Sequence, residues 1–359
     1  MTLLERLEQL YAIGGGPGAN RLGGSAQEDE AHELVAGWMR EAGLEVERDE
    51  AGNLYGRLAG RRPELPEVWT GSHLDTVPAG GRFDGALGVV GGLEAVERAG
   101  QQERSLAVVA FRDEEGSSGP GCVGSRAVCA ALRDPRPAAF VELHIEQGPR
   151  LEEANAPLAV VTGIVATARG EVVFEGREGH AGTTPMAGRS DALVAAAEFV
   201  LVLRDAAAAV DGAVATVGRL AVEPGASNVI PAEVRVSVDV RAADLERVDE
   251  VLAVVPAELS RTAEVEMAPE LVEVLREQLA GLGVPVLELA SGAGHDAGIL
   301  AAAGVPTGML FVRSLNGGIS HSPDELTAPE DIEVAVTALE GALTRLAGLW
   351  TSSRCFRRE

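Results

Sequence analysis

The sequence predicts an α/β protein in which a mixed, largely parallel sheet domain is interrupted by a smaller α+β domain. Strands and helices alternate from residue 52 to residue 165 and again after residue 269, a pattern typical of a parallel sheet covered by helices. Between these stretches the order becomes β-α-β-β-α-β, that of a ferredoxin-like split unit. We therefore expect a discontinuous domain formed by residues 1–165 and 269–359, and an inserted domain formed by residues 166–268.

The first segment opens with a helix whose two ends are marked in the sequence. Ser25 and Glu28 form an S-x-x-E capping box, and Gly43 ends the helix. His32 lies in this helix, and we expect it on the solvated side in a structural role. The alternating elements that follow are predicted strands at 52–59, 68–74, 105–112, 139–145 and 158–165, with helices at 86–99 and 124–133.

The inserted domain and the return to the first domain are predicted by the same patterns. The inserted domain has predicted strands at 168–176, 213–222, 233–241 and 262–267, with helices at 190–209 and 245–260. The larger domain then resumes with helices at 269–282, 296–303 and 329–349, and strands at 284–289 and 306–312.

The composition argues against several classes of function. The 30 basic and 55 acidic residues give a formal net charge of −25, so the chain repels phosphate backbones and anionic lipid. All the basic residues are arginine, which excludes mechanisms that require a lysine amine. The three cysteines lack CxxC spacing, and no apolar run reaches the ~18–20 residues of a membrane span. We expect a cytoplasmic protein without nucleic-acid or membrane partners.

The first group of chemically active side chains lies in the string GSHLDTVPAGGRFDG. A predicted strand ends in His73, and Asp75 follows on the same face, where its carboxylate can hold the second ring nitrogen of a metal-binding histidine. Asp84, in the glycine-rich loop that follows, is a candidate carboxylate ligand. The alternative is a polar turn after a strand, and the motif favours a metal over that alternative.

Three consecutive carboxylates, Asp113, Glu114 and Glu115, follow the predicted strand at 105–112. Adjacent acids at a buried strand end repel one another unless a cation neutralises them, whereas on an exposed loop they would cost little. Because neighbouring side chains point in different directions, one carboxylate can bind a metal while the next serves as a base.

Two more histidines lie in comparable positions. His144 ends the next predicted strand in ELHIEQGP, and His321 lies in a loop before the last helix in GISHSPDE. Sites in open α/β sheets lie beyond the carboxyl ends of the strands. We therefore expect His73, Asp84 and Glu115 to share one pocket with these two histidines. Mixed histidine and carboxylate ligands suit Zn²⁺ or neighbouring divalent ions.

Six motifs together resemble those of the M20-type metallohydrolases, in the branch of N-carbamoyl-L-amino-acid hydrolases, β-ureidopropionases and allantoate amidohydrolases. The resemblance covers nearly the whole chain, through the motifs GSHLDTVPAGGRFDGALGV, DEEGS, ELHIEQGP, GHAGTTPM, SNVIP and SGAGHDA. It implies an M20 peptidase-like fold. It also implies a metal-dependent amidohydrolase that cleaves the ureido C–N bond of an N-carbamoyl-L-amino acid, releasing the amino acid, ammonia and carbon dioxide.

Three alternatives to this activity stay open at the level of sequence. Allantoate is a second substrate, since it also offers a carboxylate and ureido groups. An M20 peptidase or aminoacylase is another hypothesis. His144 argues against it, because peptidase relatives usually carry a carboxylate at that position. A degenerate binding protein on the same scaffold is the third, and the complete set of ligands and base argues against it.

The resemblance implies a role for each residue of the predicted metal site. The family holds two divalent ions per subunit, for which Zn²⁺ is the first candidate and Mn²⁺, Co²⁺ or Ni²⁺ are alternatives. Asp84 would bridge the ions, Glu115 and His321 would complete one site, and His73 and His144 the other. Glu114 would be the general base. The peptide that follows the bridging aspartate, Asp84–Gly85, is expected to be cis by analogy with the family.

The resemblance also implies substrate contacts and an assembly. His180 would reach the partner subunit's site and steady the oxyanion, so we expect a homodimer that forms through the inserted domain. Asn228 and Arg241 match the family's carboxylate clamp, and a planar guanidinium suits a bidentate carboxylate. Gln147 and His295 would contact the ureido end or the metal-bound substrate.

The chain departs from the family pattern after the acidic motif. Relatives usually continue DEEGS with Arg-Phe and a longer helical segment before ELHIEQGP, whereas this chain has Ser118 and Gly119 and lacks tens of residues. Since the ligands and the base are retained, we expect the same reaction class with an altered substrate range.

Overall fold

A computed structural model describes residues 1–117, 119–133 and 136–348, which form two compact units. One unit consists of residues 1–163 and 266–348, and the other of residues 164–265. The boundaries expected from the sequence lie two to three residues from these positions. Ser118 and Cys355 lie outside the described residues. Among the described helices, none has both the length and the apolar composition needed to cross a membrane.

The elements follow one another in three stretches of the chain. The first contains α1 (Leu3–Tyr11), α2 (Ala26–Glu41), β1 (Glu45–Arg48), β2 (Leu54–Leu58), β3 (Val68–His73), α3 (Ala86–Ala99), β4 (Leu106–Phe111), α4 (Val123–Ala131), β5 (Ala139–Ile145), α5 (Arg150–Glu153) and β6 (Leu158–Ile164). The second contains β7 (Ala166–Glu175), α6 (Ala192–Ala209), β8 (Val214–Thr216), β9 (Leu220–Glu223), β10 (Glu233–Ala242), α7 (Leu245–Leu252) and β11 (Ser260–Thr262). The third contains β12 (Val265–Glu266), α8 (Pro269–Gly281), β13 (Glu288–Ser291), α9 (Asp296–Ala302), β14 (Thr307–Val312) and α10 (Pro329–Ala347).

The larger unit is built on one mixed sheet whose centre is parallel. The strand order is β1-β2-β4-β3-β5-β14-β6-β12, and β13 also pairs with β6. The pairs β4–β3, β3–β5 and β5–β14 are parallel, whereas β2 and β6 join the central strands in antiparallel fashion. The prediction of a mixed, largely parallel sheet is therefore confirmed.

The central strands are buried on both faces because helices cover them. Every residue of β3, β4, β5 and β14 is buried, which explains their nearly continuous apolar sequences. Helix α3 packs against β3, and α8 packs against β14. A polar side chain in such a strand has no access to bulk water, so His73, Glu142 and His144 need partners inside the protein.

The parallel strands end at one edge of the sheet. β3 ends at His73, β4 at Phe111, β5 at Ile145 and β14 at Val312. The segments that follow these strands carry the acidic motif and the loops with Asp84 and His321. The four parallel strands thus bring residues separated by up to about 250 positions in the chain to the same place.

The smaller unit contains one five-stranded antiparallel sheet backed by two helices. Its sheet has the order β11-β7-β10-β8, with β9 also paired to β10. Along β10, Val234, Val236, Val238 and Val240 are buried while the residues between them are more exposed. This alternation places one face of the sheet against α6 and α7 and leaves the other face open.

Some elements differ from the sequence-based prediction for identifiable reasons. α1, β1 and α5 were not predicted. α7 ends at Leu252 and not at residue 260, because Pro256 disfavours helical geometry in the preceding residue. The strand predicted at 262–267 divides into β11 and β12, which join different sheets.

Two predictions about single residues are wrong. His32 is fully buried and not on the solvated side, because the spacing i, i+3, i+7 aligns it with the buried Val35 and Met39. The Asp84–Gly85 peptide is not cis, since the only cis peptide among the described residues is Glu223–Pro224. Gly85 makes the sharp turn by a positive φ of 62°, with a hydrogen bond of 2.6 Å from the Ala86 amide to the Asp84 carbonyl.

Candidate metal centre

The other four side chains that were expected to bind metal gather around the Asp84 carboxylate. Asp84 Oδ1 lies 3.2 Å from His144 Nε2 and 3.6 Å from His73 Nε2. Asp84 Oδ2 lies 3.3 Å from His321 Nε2, which is also 3.4 Å from Glu115 Oε1. The donor atoms form two groups, His73/Asp84/His144 and Asp84/Glu115/His321, that share Asp84. We call them the strand-side group and the loop-side group.

The local sequence around Asp84 is what allows this close approach. Gly85 follows the aspartate, and a methyl group at that position would overlap the imidazole ring of His73. Its positive φ is also a conformation that side-chain-bearing residues rarely adopt. The glycine therefore lets the loop bring its carboxylate onto the end of β3.

The tautomers of the two buried histidines leave one nitrogen of each ring for a metal. His73 Nδ1 lies 3.1 Å from the carbonyl oxygen of Asp75, and His144 Nδ1 lies 3.0 Å from that of Ile145. A carbonyl only accepts, so each Nδ1 carries a hydrogen, and each Nε2 can offer its lone pair to a metal once it releases its own proton. His144 Nε2 is buried without a hydrogen-bond partner. This orphaned atom, facing a carboxylate, fits a divalent ion with mixed nitrogen and oxygen ligands.

The protonation of the pocket without metal supports the same interpretation. Burial opposes charge on His144, but Asp84 outweighs it and raises the pKa of the imidazole to about 9. The Asp84 contact likewise raises the pKa of His321 to about 9. Burial raises the pKa of the Asp84 carboxyl, yet the three histidines outweigh burial and hold it well below its usual range. Protons on the imidazoles therefore compensate Asp84, and metal binding would displace them.

Glu114 lies beside the two groups and is held by its neighbours. The Asp75 carboxylate accepts hydrogen bonds of 3.0 Å from the backbone amides of both Glu114 and Glu115. The Cys122 thiol donates to Glu114 Oε1 at 3.2 Å, while Glu114 Oε2 lies 3.9 Å from His73 Nε2. Burial first, and the charge of Asp75 among others, raise the pKa of the Glu114 carboxyl. A raised pKa brings a carboxylate closer to the range in which it serves as a general base.

Sequence reasoning missed two buried carboxylates behind the centre. Glu142 accepts hydrogen bonds from the Ser72 hydroxyl and from the Ala297 amide, each at 2.7 Å. Glu325 accepts from the amides of Phe83 and Asp84. The signals available were an acid two residues before His144 in a buried strand and an acid four residues after His321.

Gln147 and His295 lie at this edge of the sheet as well. Gln147 Nε2 donates to Asp84 Oδ2 at 2.9 Å, so it contacts the shared carboxylate directly. His295 is buried, with its ring centroid 4.5 Å from that of His144 and its Nε2 2.8 Å from the Ser291 hydroxyl. His295, His144 and Glu142 form a third group of donors. This group is not an independent site, because it shares His144 with the strand-side group.

The remaining predicted residues belong to the smaller unit. His180 is exposed, and its Nδ1 accepts hydrogen bonds from the amides of Gly182 and Thr183, so its Nε2 is left as a donor. The Asn228 carbonyl accepts from the Ala181 amide at 3.0 Å, which puts Asn228 beside the His180 segment. Arg241 donates from Nε and Nη2 to the two carboxylate oxygens of Asp239, at 2.8 and 3.0 Å.

Comparison with known proteins gives consistent matches over most of the chain. Residues 69–345 match the model of peptidase family M20/M25/M40. An N-carbamoyl-L-amino acid amidohydrolase from Geobacillus stearothermophilus is 39% identical over 96% of this chain and 98% of its own. A probable allantoate deiminase from Oryza sativa subsp. japonica is 32% identical over 93% of this chain and 86% of its own.

A solved structure agrees with these sequence matches. The amidase of the hydantoinase/carbamoylase family from Burkholderia vietnamiensis superposes with a TM-score of 0.84, at 32% identity and over 96% of both chains. The alignment with the Geobacillus protein runs over 402 positions, whereas this chain has 359 residues. That relative therefore carries residues that have no counterpart here. Their location between Glu115 and His144 stays a prediction.

Proposed function

Because the chain belongs to peptidase family M20/M25/M40, in its branch of carbamoylases and allantoate amidohydrolases, we propose that it hydrolyses the ureido C–N bond of N-carbamoyl-L-amino acids. It is a hydrolase of non-peptide C–N bonds, and the products of this reaction are the amino acid, ammonia and carbon dioxide. The observation that carries the proposal is the convergence of the two donor groups on Asp84 next to Glu114.

The proposed centre holds two divalent ions, with Zn²⁺ as the first candidate. His73 and His144 would hold one ion, Glu115 and His321 the other, and Asp84 both. Such ions would supply Lewis acidity for the ureido carbonyl and lower the pKa of a water molecule toward ~7. His73, Asp84 and His144 are buried, and the contacts around them already orient their side chains toward such ions.

Glu114 is the proposed general base. It would take the proton of the attacking water and pass it to the departing nitrogen, a role for which its raised pKa and its place beside His73 are suited. Asp75 orients this base, because its carboxylate fixes the amides of Glu114 and Glu115. The Cys122 thiol fixes one carboxylate oxygen of Glu114 and leaves the other for the proton.

Residues of the smaller unit are the proposed substrate clamp. Arg241 and Asn228 would bind the carboxylate of the substrate, and His180 Nε2 would donate to the developing oxyanion. The Asp239 carboxylate accepts two hydrogen bonds from the Arg241 guanidinium, so a substrate carboxylate would share or replace that contact. Gln147 and His295 are the proposed contacts of the ureido end, which they would meet at the edge of the metal centre.

We propose a homodimer formed through the smaller unit, in which His180 completes the partner's site. Supporting features are apolar side chains left exposed on α6 and on the sheet edge. Leu201 and Val202 of α6 are 52% and 48% exposed, and Val214 of β8 and Leu220 of β9 are 57% and 42% exposed. Exposed apolar faces and open edge strands favour burial against a second copy.

Allantoate is the second candidate substrate. It is favoured by the similarity to a probable allantoate deiminase, and it carries both a carboxylate and ureido groups. An M20 peptidase or aminoacylase activity is a more distant alternative, since such an enzyme would release an amine without ammonia.

The test is an ammonia assay on zinc-loaded protein whose metal content has been measured. The panel contains N-carbamoyl-L-amino acids of different side-chain size, their D-enantiomers, allantoate, N-acetyl amino acids and dipeptides. We expect ammonia from L-carbamoyl acids and none from their D-enantiomers. Faster release from allantoate would select the second candidate. Turnover of only the dipeptides or N-acetyl compounds would contradict both.

A further inference from the structure

Glu325 is a buried carboxylate that no substrate or metal role accounts for. It is 3% exposed, and its Oε1 accepts hydrogen bonds from the amides of Phe83 and Asp84, at 2.6 and 3.1 Å. These amides belong to the loop that presents the shared carboxylate of the metal centre. One oxygen of Glu325 therefore fixes the backbone of Asp84 at the point where that loop turns.

The second carboxylate oxygen of Glu325 fixes the loop that carries His321. Its Oε2 accepts from the Ser320 hydroxyl at 2.8 Å, and Ser320 is the neighbour of His321. The Ser320 oxygen lies 3.4 Å from Asp84 Oδ2 and accepts from Gln147 Nε2 at 3.2 Å. A single carboxylate thus joins two loops that are more than two hundred residues apart in the chain and that each supply a donor to the loop-side group.

The surroundings are shaped around this carboxylate. A methyl group in place of the Gly81 hydrogen would overlap the Glu325 carboxyl group, so the adjoining loop leaves room for it. Burying a carboxylate next to Asp84 is unfavourable, and burial first, then the charge of Asp84, raise the pKa of Glu325. Three hydrogen-bond donors offset that unfavourable placement. An apolar side chain would fill the same space without the unfavourable burial of a charge. The presence of a carboxylate therefore indicates that it serves the loops it joins.

The two donor groups differ in how much they depend on contacts between loops. His73 and His144 lie in or at the end of buried strands, and backbone carbonyls orient their rings. His321 lies in a loop, has a positive φ of 55° and exposes 49% of its side chain. The sheet therefore holds two of the three strand-side donors, whereas all three loop-side donors lie in loops and rely on contacts between them.

We propose that Glu325 is a positioning residue that sets the metal affinity of the loop-side group, Asp84/Glu115/His321, separately from that of the strand-side group. The proposal rests on the proposed metal centre and adds a residue that touches neither metal nor substrate. Removal of such a supporting partner typically weakens metal affinity ~10–100-fold. Glu325→Ala should therefore lower the affinity of one zinc ion by that factor and leave the other unchanged.

The experiment is a zinc titration of the metal-free full-length protein in chelator-buffered solutions, read as bound zinc per chain. Wild-type protein should bind two ions, and Glu325→Ala should weaken one of the two steps by ~10–100-fold and leave the other unchanged. His321→Ala, which removes a loop-side donor, should lose the same step. Glu325→Gln keeps an oxygen acceptor for the two amides and can donate to Ser320, so it should recover most of the affinity. Asp324→Ala is the matched control, because it removes an exposed carboxylate from the neighbouring position.

Several outcomes would overturn the proposal. If wild-type protein binds two zinc ions and Glu325→Ala binds them equally well, Glu325 does not position the loops, although the metal centre stands. Equal weakening of both steps in Glu325→Ala would mean that Glu325 acts through Asp84, which both groups share, and would overturn a separate effect on the loop-side group. A Glu325→Gln protein as weak as Glu325→Ala, with Asp324→Ala unaffected, would require a metal-bound or charge role instead. Wild-type protein that binds no zinc would refute this proposal together with the proposed centre.

Discussion

His32 should make the stability of the larger unit depend on pH in a predictable direction. Its side chain is fully buried, and neither ring nitrogen has a hydrogen-bond partner among the described residues. Its Nε2 is 3.9 Å from Glu28 Oε1, which is beyond hydrogen-bond distance. Burial, with a smaller contribution from the Arg112 charge, lowers the pKa of His32 to about 3. In the unfolded chain the pKa of a histidine is about 6.5.

The direction of this pH dependence follows from whether the folded or the unfolded state binds a proton on His32. Between pH 6.5 and 3 the unfolded chain binds a proton on His32 that the folded protein does not accept. The free energy of unfolding therefore decreases as the pH falls below 6.5, by somewhat more than 1 kcal/mol per pH unit. From pH 7 to pH 5 the loss due to this residue should reach about 2 kcal/mol. His32→Leu has a similar volume and cannot titrate, so it should lack this loss.

The assay compares urea unfolding of wild-type protein and His32→Leu at several pH values between 5 and 8. Tryptophan fluorescence reports on the relevant region, since Trp38 is buried in α2 and Trp69 in β3. A chelator in all samples keeps the protein metal-free, so the histidines of the proposed metal centre contribute equally to both proteins. The difference in unfolding free energy should shift in favour of the variant by about 2 kcal/mol between pH 7 and pH 5. A difference independent of pH would refute the reasoning.

Three further predictions concern the proposed reaction. Glu114→Gln keeps the size of the side chain and removes its basicity, so turnover should fall ~10²–10⁴-fold at unchanged zinc content, and near-normal turnover would exclude the base role. Arg241→Ala should weaken binding of ureido acids by about 1.5–3 kcal/mol but not of an analogue with an amidated carboxylate, and equal losses for both would rule out the clamp. Mixing inactive His180→Ala and Glu114→Gln subunits should restore part of the activity, because one site of the mixed dimer keeps both residues. No recovery after verified subunit exchange would contradict the shared site.

Local patterns in the sequence predicted the sheet and the gathering of the candidate metal donors at one of its edges. The continuous apolar runs before His73 and His144 are typical of strands buried on two faces, and these strands are present at the expected positions. Histidines and acids directly after such strands must lie at the edge where parallel strands end. The structure places Asp84 between these histidines, within 3.6 Å of each.

The supporting residues could not be predicted because their roles depend on partners that are distant in the chain. Glu142 binds groups in Ser72 and Ala297, which come from a different strand and a different helix. Glu325 binds the Asp84 loop in the same way. His32 is a different case, since its helical spacing pointed to the buried face while its polarity suggested the opposite. The turn at Gly85 uses a positive φ, which glycine adopts readily. The prediction had assigned this turn to a cis peptide bond instead.

The charge buried behind this edge of the sheet is itself an argument for function. Asp75, Asp84, Glu142 and Glu325 are each at most 4% exposed, and like charges at such short range destabilise a fold that does not compensate them. Hydrogen bonds account for much of the compensation. Arg21 is also buried nearby, with its Nε bound to the Leu74 carbonyl. The other compensating charges are one guanidinium and three imidazoles, and an imidazole is positively charged only when it is protonated. Divalent ions would replace those protons and neutralise the same carboxylates. The buried acids therefore support the proposed cation site, since the stability of the metal-free fold alone does not explain their presence.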